Sequence, residues 1–336
     1  MRKIGLVLGK FSILHKGHQF LIETALSEMD SVYVLVYDSP TTTRTPLDVR
    51  ASWIKRLYPS VNVIEGWCGP EDSGYTEDVI RIQNEYILKM AGDKGITHFY
   101  SSEPYGDHVS VALGCENRTV DIKRETIPIA ASAIQKDMKR GKSFVDPLVW
   151  RDLIINICFV GAPSTGKTTI SEEMAKELGT VWMPEYGREY WEKHQSERRL
   201  TPEQLVEIAR THLELEDKAL EAADKYLFTD TNAITTFMFA LDYHGYALPE
   251  LHDLARVAER RYDLVFLCGT DIPYDDTPDR SGDVARQIFQ RQIESDLLRR
   301  RIPYITLTGG LRERMDKVTL ILSKFEKYRS ICELAL

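Results

Sequence analysis

At 336 residues the chain has room for two domains at about 150 residues each, both large enough to bury a core. Hydrophobic residues at 43% and charged residues at 28% are ordinary globular proportions, and they exclude a long disordered, collagen-like or membrane-embedded chain. Lys and Arg number 43 against 51 Asp and Glu, a net charge of −8; residues 1–150 hold 18 basic and 19 acidic side chains, leaving 25 and 32 for 151–336. Neither part has the basic excess that binding along a phosphate backbone needs, so nucleic acid is not an expected partner.

In chain order, short β-branched and apolar runs at 3–8, 31–37, 62–65, 97–101 and 119–122 read as strands. Helix-period segments fall between them: Leu21, Ile22, Ala25, Leu26 and Met29 recur on one face, and 77–90 repeats the pattern. The opening MRKIGLVLGKF is too brief for a signal-peptide core, and no run reaches the roughly 18 apolar residues of a membrane helix. A cytoplasmic location is expected. At the end of the first strand, Gly9-Lys10-Phe11 leads into His15-Lys16-Gly17-His18 and an amphipathic helix. Two imidazoles at a positive helix end can donate hydrogen bonds to phosphate oxygens, and Gly17 permits close approach. His98 and His108 belong to no such pattern and read as structural.

Residues 136–147 are polar and turn-forming, which places the domain boundary near 141–151, with a first domain over 1–145 and a second over 151–336. The second domain reads as strands at 154–160, 181–183, 226–229, 264–268 and 304–307 separated by long helical segments. One of these, 202–223, has Thr201 as N-cap and Pro202 at its first position. The fold class expected is α/β, two doubly wound parallel sheets. Cys68, Cys115, Cys158, Cys268 and Cys332 show no metal-like or disulfide spacing.

Gly161-Ala-Pro163-Ser164-Thr165-Gly166-Lys167-Thr168-Thr169 follows an apolar strand and opens a helix, and it matches GxxxxGK[ST]. Such a loop wraps an anion with backbone N–H groups, Lys167 reaches the β/γ-phosphates, and the Thr168 hydroxyl ligates Mg²⁺ of bound ATP. Asp230, ending a strand, has two readings: a metal-facing carboxylate, or a cap for the helix beginning near Ala233. Asp279-Arg280-Ser281 lies in a Pro/Gly/Asp-rich stretch, and Arg280 is the candidate for neutralising transition-state charge, whereas Arg286 and Arg291 read as a solvated helix face. Glu185-Tyr186-Gly187-Arg188-Glu189-Tyr190-Trp191 suits a polar, flat-ringed acceptor.

These motifs together resemble the NadR-type family, which joins a nucleotidyltransferase domain, the nicotinamide mononucleotide (NMN) adenylyltransferase, to a P-loop ribosylnicotinamide kinase. The resemblance covers nearly the whole chain. It includes Arg44, Pro46, Arg50 and Trp53, then Ser101-Ser102-Glu103-Pro104, the EYGRE run at 185–189, Asp230-Thr231 with Thr235-Thr236, and Asp279-Arg280-Ser281. It implies two reactions: ATP phosphorylates nicotinamide riboside to NMN in the second domain, and NMN takes an adenylyl group from ATP in the first, giving NAD and pyrophosphate. His15 and His18 would contact phosphates, assisted by Lys10 and Ser132, with Gly9, Phe11, Gly17, Ser102 and Glu103 around the nucleotide. Arg44, Arg50 and Trp53 would bind the first domain's substrate. Glu185 and Arg188 would hold the riboside while Tyr186 or Trp191 stacks on its pyridinium ring. A homo-oligomer is compatible with this reading. Some members carry an N-terminal helix-turn-helix, and with a first strand read from Lys3 none is expected in this sequence.

Two positions depart from the family pattern. Ile13 stands where the first loop has proline. In the later ISxTxIR motif, read here as Ile129-Ala-Ala-Ser132-Ala-Ile-Gln135, neutral Gln135 replaces a phosphate-binding arginine. Lys136, Lys139 or Arg140 are the expected substitutes. The alternative is an active kinase whose first domain only binds NMN or NAD as a sensor; a P-loop regulatory switch is the more remote one.

Overall fold

The computed structural model describes residues 2–72, 74–197, 199–274 and 283–329. They divide into two compact units, the first holding the described residues of 1–150 and 327–336, the second those of 151–326. In the first unit, β1 (Ile4–Gly9), β2 (Ser31–Tyr37), β3 (Asn62–Gly66), β4 (His98–Ser101) and β5 (Glu116–Thr119) form one sheet in the order β3-β2-β1-β4-β5. Every pairing is parallel. Helices cover both faces of such a sheet, so its central strands read as unbroken apolar runs. Leu6 and Leu8 pack with Leu35, Ile87, Phe99 and Val109, while the intervening Val7 is equally buried.

The last strand departs from expectation. The run at 119–122 is more apolar than the Glu-Asn-Arg-Thr segment that actually pairs with β4. An edge strand is held by its backbone ladder and needs little burial, so its polar sequence carried no strand signal.

In the second unit β6 (Ile155–Val160), β7 (Val181–Met183), β8 (Tyr226–Asp230), β9 (Leu264–Cys268) and β10 (Ile305–Leu307) pair in the order β10-β9-β6-β8-β7, again all parallel. The central strand β6 is buried throughout. Ile157 and Phe159 face a core with Ile170, Met174, Phe228, Phe266 and Val318; Cys158 and Val160 face another with Ile208, Ala209, Phe237 and Leu251. The helix Pro202–Ala222 starts as its sequence predicts, with Thr201 and Gln204 in a reciprocal capping box (2.9 and 3.3 Å) and Pro202 in the first turn.

In the first sheet the chain runs outward in both directions from β1. In the second it passes from β6 to the edge strand β7, returns to β8 beside β6, and then adds β9 and β10 on the other side. In each sheet a crevice opens at the carboxyl end of the central strand, β1 or β6. Both sequence loops emerge there. Among the described residues, no helix is long and apolar enough to cross a membrane.

Candidate functional site

In the first unit the turn after β1 is built by reciprocal hydrogen bonds. His15 caps the helix Lys16–Glu28: its Nδ1 accepts the Gly17 N–H at 3.1 Å, and the His15 N–H donates to His18 Nδ1 at 3.5 Å. The rings stack with centroids 3.8 Å apart. A Cβ on Gly17 would approach the His15 ring to 3.0 Å, so glycine is what lets the imidazole fold back over its own helix. With Nδ1 accepting, neutral His15 carries its proton on Nε2 as a donor. Burial, then the charge of Arg124, pulls His15 down to about 4; His18 is also held well below the ordinary imidazole value, by burial first and then by His15 and Arg124. Both are therefore neutral donors near pH 7.

Around them lies a cavity of about 630 Å³ whose walls include Gly9, Lys10, Phe11, His15, Gly17, His18, Ser102, Glu103, Ser132 and Gln135. Residues from three separate stretches of sequence are thus brought together. Phe11 adopts a left-handed backbone (φ 47°) and sets its ring edge-on to His18 at 5.0 Å.

Three expected substrate contacts stand elsewhere. Arg50 and Trp53 lie on the buried face of the helix Leu47–Leu57 at 1% and 0% exposure, away from the cavity wall. Arg50 donates to the carbonyls of Lys10, Tyr37 (2.6 Å) and Thr45 (2.8 Å), so it ties the Gly9-Lys10 turn to the end of β2. Arg44 is exposed and also outside the lining. Of the cations expected to replace an arginine at 135, Lys136, Lys139 and Arg140 do not reach the wall either, while Arg124 does.

In the second unit, Gly161 (φ 144°), Ser164 (φ 63°) and Gly166 (φ 81°) curl the loop between β6 and the helix Lys167–Leu178. A Cβ on Gly161 would meet the Cys268 carbonyl at 2.8 Å. The loop is held from behind: Gln290 accepts the Ala162 N–H (2.8 Å), Arg286 donates to the Ser164 carbonyl (3.2 Å), and Arg314 donates to the Thr165 carbonyl (2.7 Å). Arg286, 5% exposed, is not the solvated residue that its sequence suggested. It shares a buried helix face with Phe289, Gln290 and Ile293, a spacing of three and four that was present in the sequence. Arg291 is solvated as expected and pairs with Glu294. Residues 279–281, and with them Arg280, lie outside the described residues.

Thr168 Oγ1 donates to Asp230 Oδ2 at 2.6 Å, and the Asp230 Oδ1 is buried with no hydrogen-bond partner. The helix-capping reading of Asp230 falls away, because Asn232 caps Ala233–His244 by accepting the Thr235 N–H (3.0 Å). Burial, then the charge of Glu185, raises Asp230 to about 6 against the opposing pull of Lys167. An unpartnered carboxylate oxygen beside a hydroxyl is a hard oxygen donor set that fits Mg²⁺, which keeps most of its shell as water and phosphate. Lys167 rests on the Ala162 carbonyl at 3.1 Å.

Beside this loop a second cavity, about 120 Å³, is lined by Gly161, Pro163, Lys167, Glu185, Arg188 and Trp191, and also by Thr235 and Thr236. His212, Phe239 and Tyr243 line it too, though nothing in their local sequence marked them. Tyr186 stands outside it, its ring 5.9 Å from that of Tyr190.

Fold and sites together define a class: a two-unit α/β protein with a paired-imidazole turn on one parallel sheet and a phosphate-binding loop on the other. Residues 156–314 match the family model described as AAA domain. The chain is 27% identical to the trifunctional NAD biosynthesis/regulator protein NadR of Escherichia coli K12, over 90% of this chain and 78% of that protein. It is 26% identical, with the same coverage, to the protein of that name from Salmonella typhimurium LT2. Two solved NadR structures share the fold at 18–19% identity: one in complex with NR covers 96% of both chains (TM-score 0.59), and one in complex with NAD and AMP-PNP covers 98% of this chain and 99% of its own (TM-score 0.60). The chain is thus similar to these NadR proteins along nearly its whole length.

Proposed function

We propose that the second unit transfers the γ-phosphoryl group of ATP to the 5′-hydroxyl of nicotinamide riboside, and that the first unit joins the resulting NMN to a second ATP to give NAD and pyrophosphate. The observation that carries the kinase reading is the Thr168–Asp230 pair, with its orphaned, buried Oδ1, at the start of the helix that follows the phosphate loop. Lys167 exchanges the Ala162 carbonyl for the β/γ-phosphates. Mg²⁺, held through Thr168 and Asp230, would neutralise phosphate charge. Glu185 and the Trp191, Phe239 and Tyr243 faces suit a cationic pyridinium ring, through charge and cation–π attraction.

In the first unit an oxygen of the NMN phosphate forms a bond to the α-phosphorus. The bond from that phosphorus to the β-phosphate oxygen breaks, and pyrophosphate leaves with the electron pair. Neutral His15 and His18 donate hydrogen bonds to oxygens whose charge grows in this step, where preorganised donors are most effective.

Riboside, ATP and Mg²⁺ given to the purified chain should yield NMN and then NAD. NMN as the sole product would reduce the first unit to a sensor. Lys167→Ala should abolish NMN formation yet leave NAD formation from supplied NMN, assigning each step to its unit; normal riboside phosphorylation in that variant would refute the loop assignment.

A further inference from the structure

We propose that Arg124 is the cation that grips the triphosphate of the nucleotide in the first unit, filling by tertiary placement the charge that Gln135 lacks. The inference rests on the adenylyl-transfer reading above. A bound triphosphate brings about four negative charges. Among the described residues lining this cavity, the basic side chains other than the two neutral histidines are Lys10 and Arg124, set against the carboxylates of Glu71, Asp72, Glu103 and Asp121. Asp121 is already committed, accepting N–H groups of Glu125 (2.8 Å), Thr126 (3.1 Å) and Ile127 (3.1 Å). That carboxylate builds the turn which carries Arg124: the Arg124 N–H donates to the Asp121 carbonyl (2.8 Å), and both residues take left-handed backbones (φ 49° and 52°).

The turn brings the guanidinium to the wall of the histidine cavity, near enough for its charge to act on both imidazoles. Its carboxylate neighbour is Glu103, 3.6 Å away, with the two side chains 46% and 54% exposed. An ion pair that open and that long holds its members weakly, whereas a guanidinium on a phosphate forms two parallel charge-assisted hydrogen bonds. Arg124 therefore exchanges Glu103 for phosphate oxygens when ATP enters. Its positive charge then stabilises the departing pyrophosphate.

The test is Arg124→Gly in the full chain. Glycine adopts φ 52° without strain, so the turn survives while the guanidinium is lost, and the melting temperature should hold or rise. NAD formation from supplied NMN should fall about ten- to hundredfold in kcat/KM for ATP. Adding Gln135→Arg, which places a guanidinium on the same cavity wall, should recover most of that loss. A kcat/KM within about twofold of the parent would overturn the proposal, as would a loss explained by a lowered melting temperature. If the parent chain makes no NAD, it is the adenylyl-transfer reading that fails. Calorimetry with ATP and the Lys167→Ala background then decides the rest: binding lost on Arg124→Gly upholds the grip, and unchanged binding refutes it.

Discussion

The two candidate sites of this chain are built to different degrees by long-range contacts. In the second unit the phosphate loop is clamped by side chains more than a hundred residues away in sequence, Gln290, Arg286 and Arg314, which occupy its backbone groups before any anion arrives. In the first unit His15 and His18 cap their own helix and a buried arginine, Arg50, holds the Lys10 carbonyl from behind, while Lys10 and Arg124 stand on the wall of a cavity of about 630 Å³ against about 120 Å³ in the second. A buried arginine that bonds carbonyls organises the loop; a half-exposed one on a wide cavity is free to bind the ligand itself. The sizes also suit the proposed tasks, since adenylyl transfer must seat two nucleotides together and the smaller cavity need hold only the acceptor beside the loop.

The comparison predicts asymmetric responses. The largest is at Asp230: Asp230→Asn should lower riboside phosphorylation about 10²–10³-fold, as for loss of one preorganised electrostatic group. The same change should make the protein more stable at neutral pH. Asp230, raised to about 6 in the fold, destabilises the ionised native state above that value, and the penalty disappears below the unfolded carboxylate range near 3.8. Denaturant melts at pH 7.5 should show a gain on the order of 1–3 kcal/mol for the variant. A loss of stability there would mean that Asp230 is a structural group.

Next in size, His18→Ala should reduce NAD formation from NMN by about 10²-fold and leave the kinase rate alone. Equal loss in both steps would end the assignment of separate sites. Arg286→Met comes third. It removes three guanidinium-to-carbonyl bonds, to Ser164, Thr270 and Ile272, and should cost about 2–4 kcal/mol while raising KM for ATP in the kinase step. Thermal melts and initial rates check both. A wild-type KM would show that the loop needs no clamp from behind.

The smallest effect concerns pH in the first unit. His15 titrates near 4 in the fold and near 6.5 when unfolded, so between those values the unfolded chain gains a proton that the folded one refuses. Stability should be full above about pH 6.5 and decline by about 3 kcal/mol at most as pH falls to 4. His15→Gln should flatten that part of the curve. An unaltered curve would place the proton uptake elsewhere.

Much of the fold was legible locally. Unbroken apolar strands such as β6, the Thr201 cap and the loop glycines declare themselves within a few residues, because backbone conformation and burial of a parallel strand are encoded where they occur. The polar edge strand Glu116–Thr119 did not, since it is held by β4 and not by its own side chains. At the sites, Lys167, Thr168 and Asp230 were legible as motif chemistry and meet in the structure. Arg50 and Trp53 stood out as motif residues yet lie on the buried face of their helix, where Arg50 holds the Lys10 carbonyl.

By itself the sequence determined two α/β units, a paired-histidine turn and a phosphate loop, all properties of short segments whose backbone geometry follows from neighbouring residues. Only the tertiary structure decided which cations serve them. Arg124 reaches the histidines through a turn folded by Asp121, Arg286 and Arg314 reach the loop from helices well over a hundred residues on, and Gln135 ceases to be a vacancy in charge once Arg124 stands on the same wall. Charge acts through space, over distances that sequence separation does not measure.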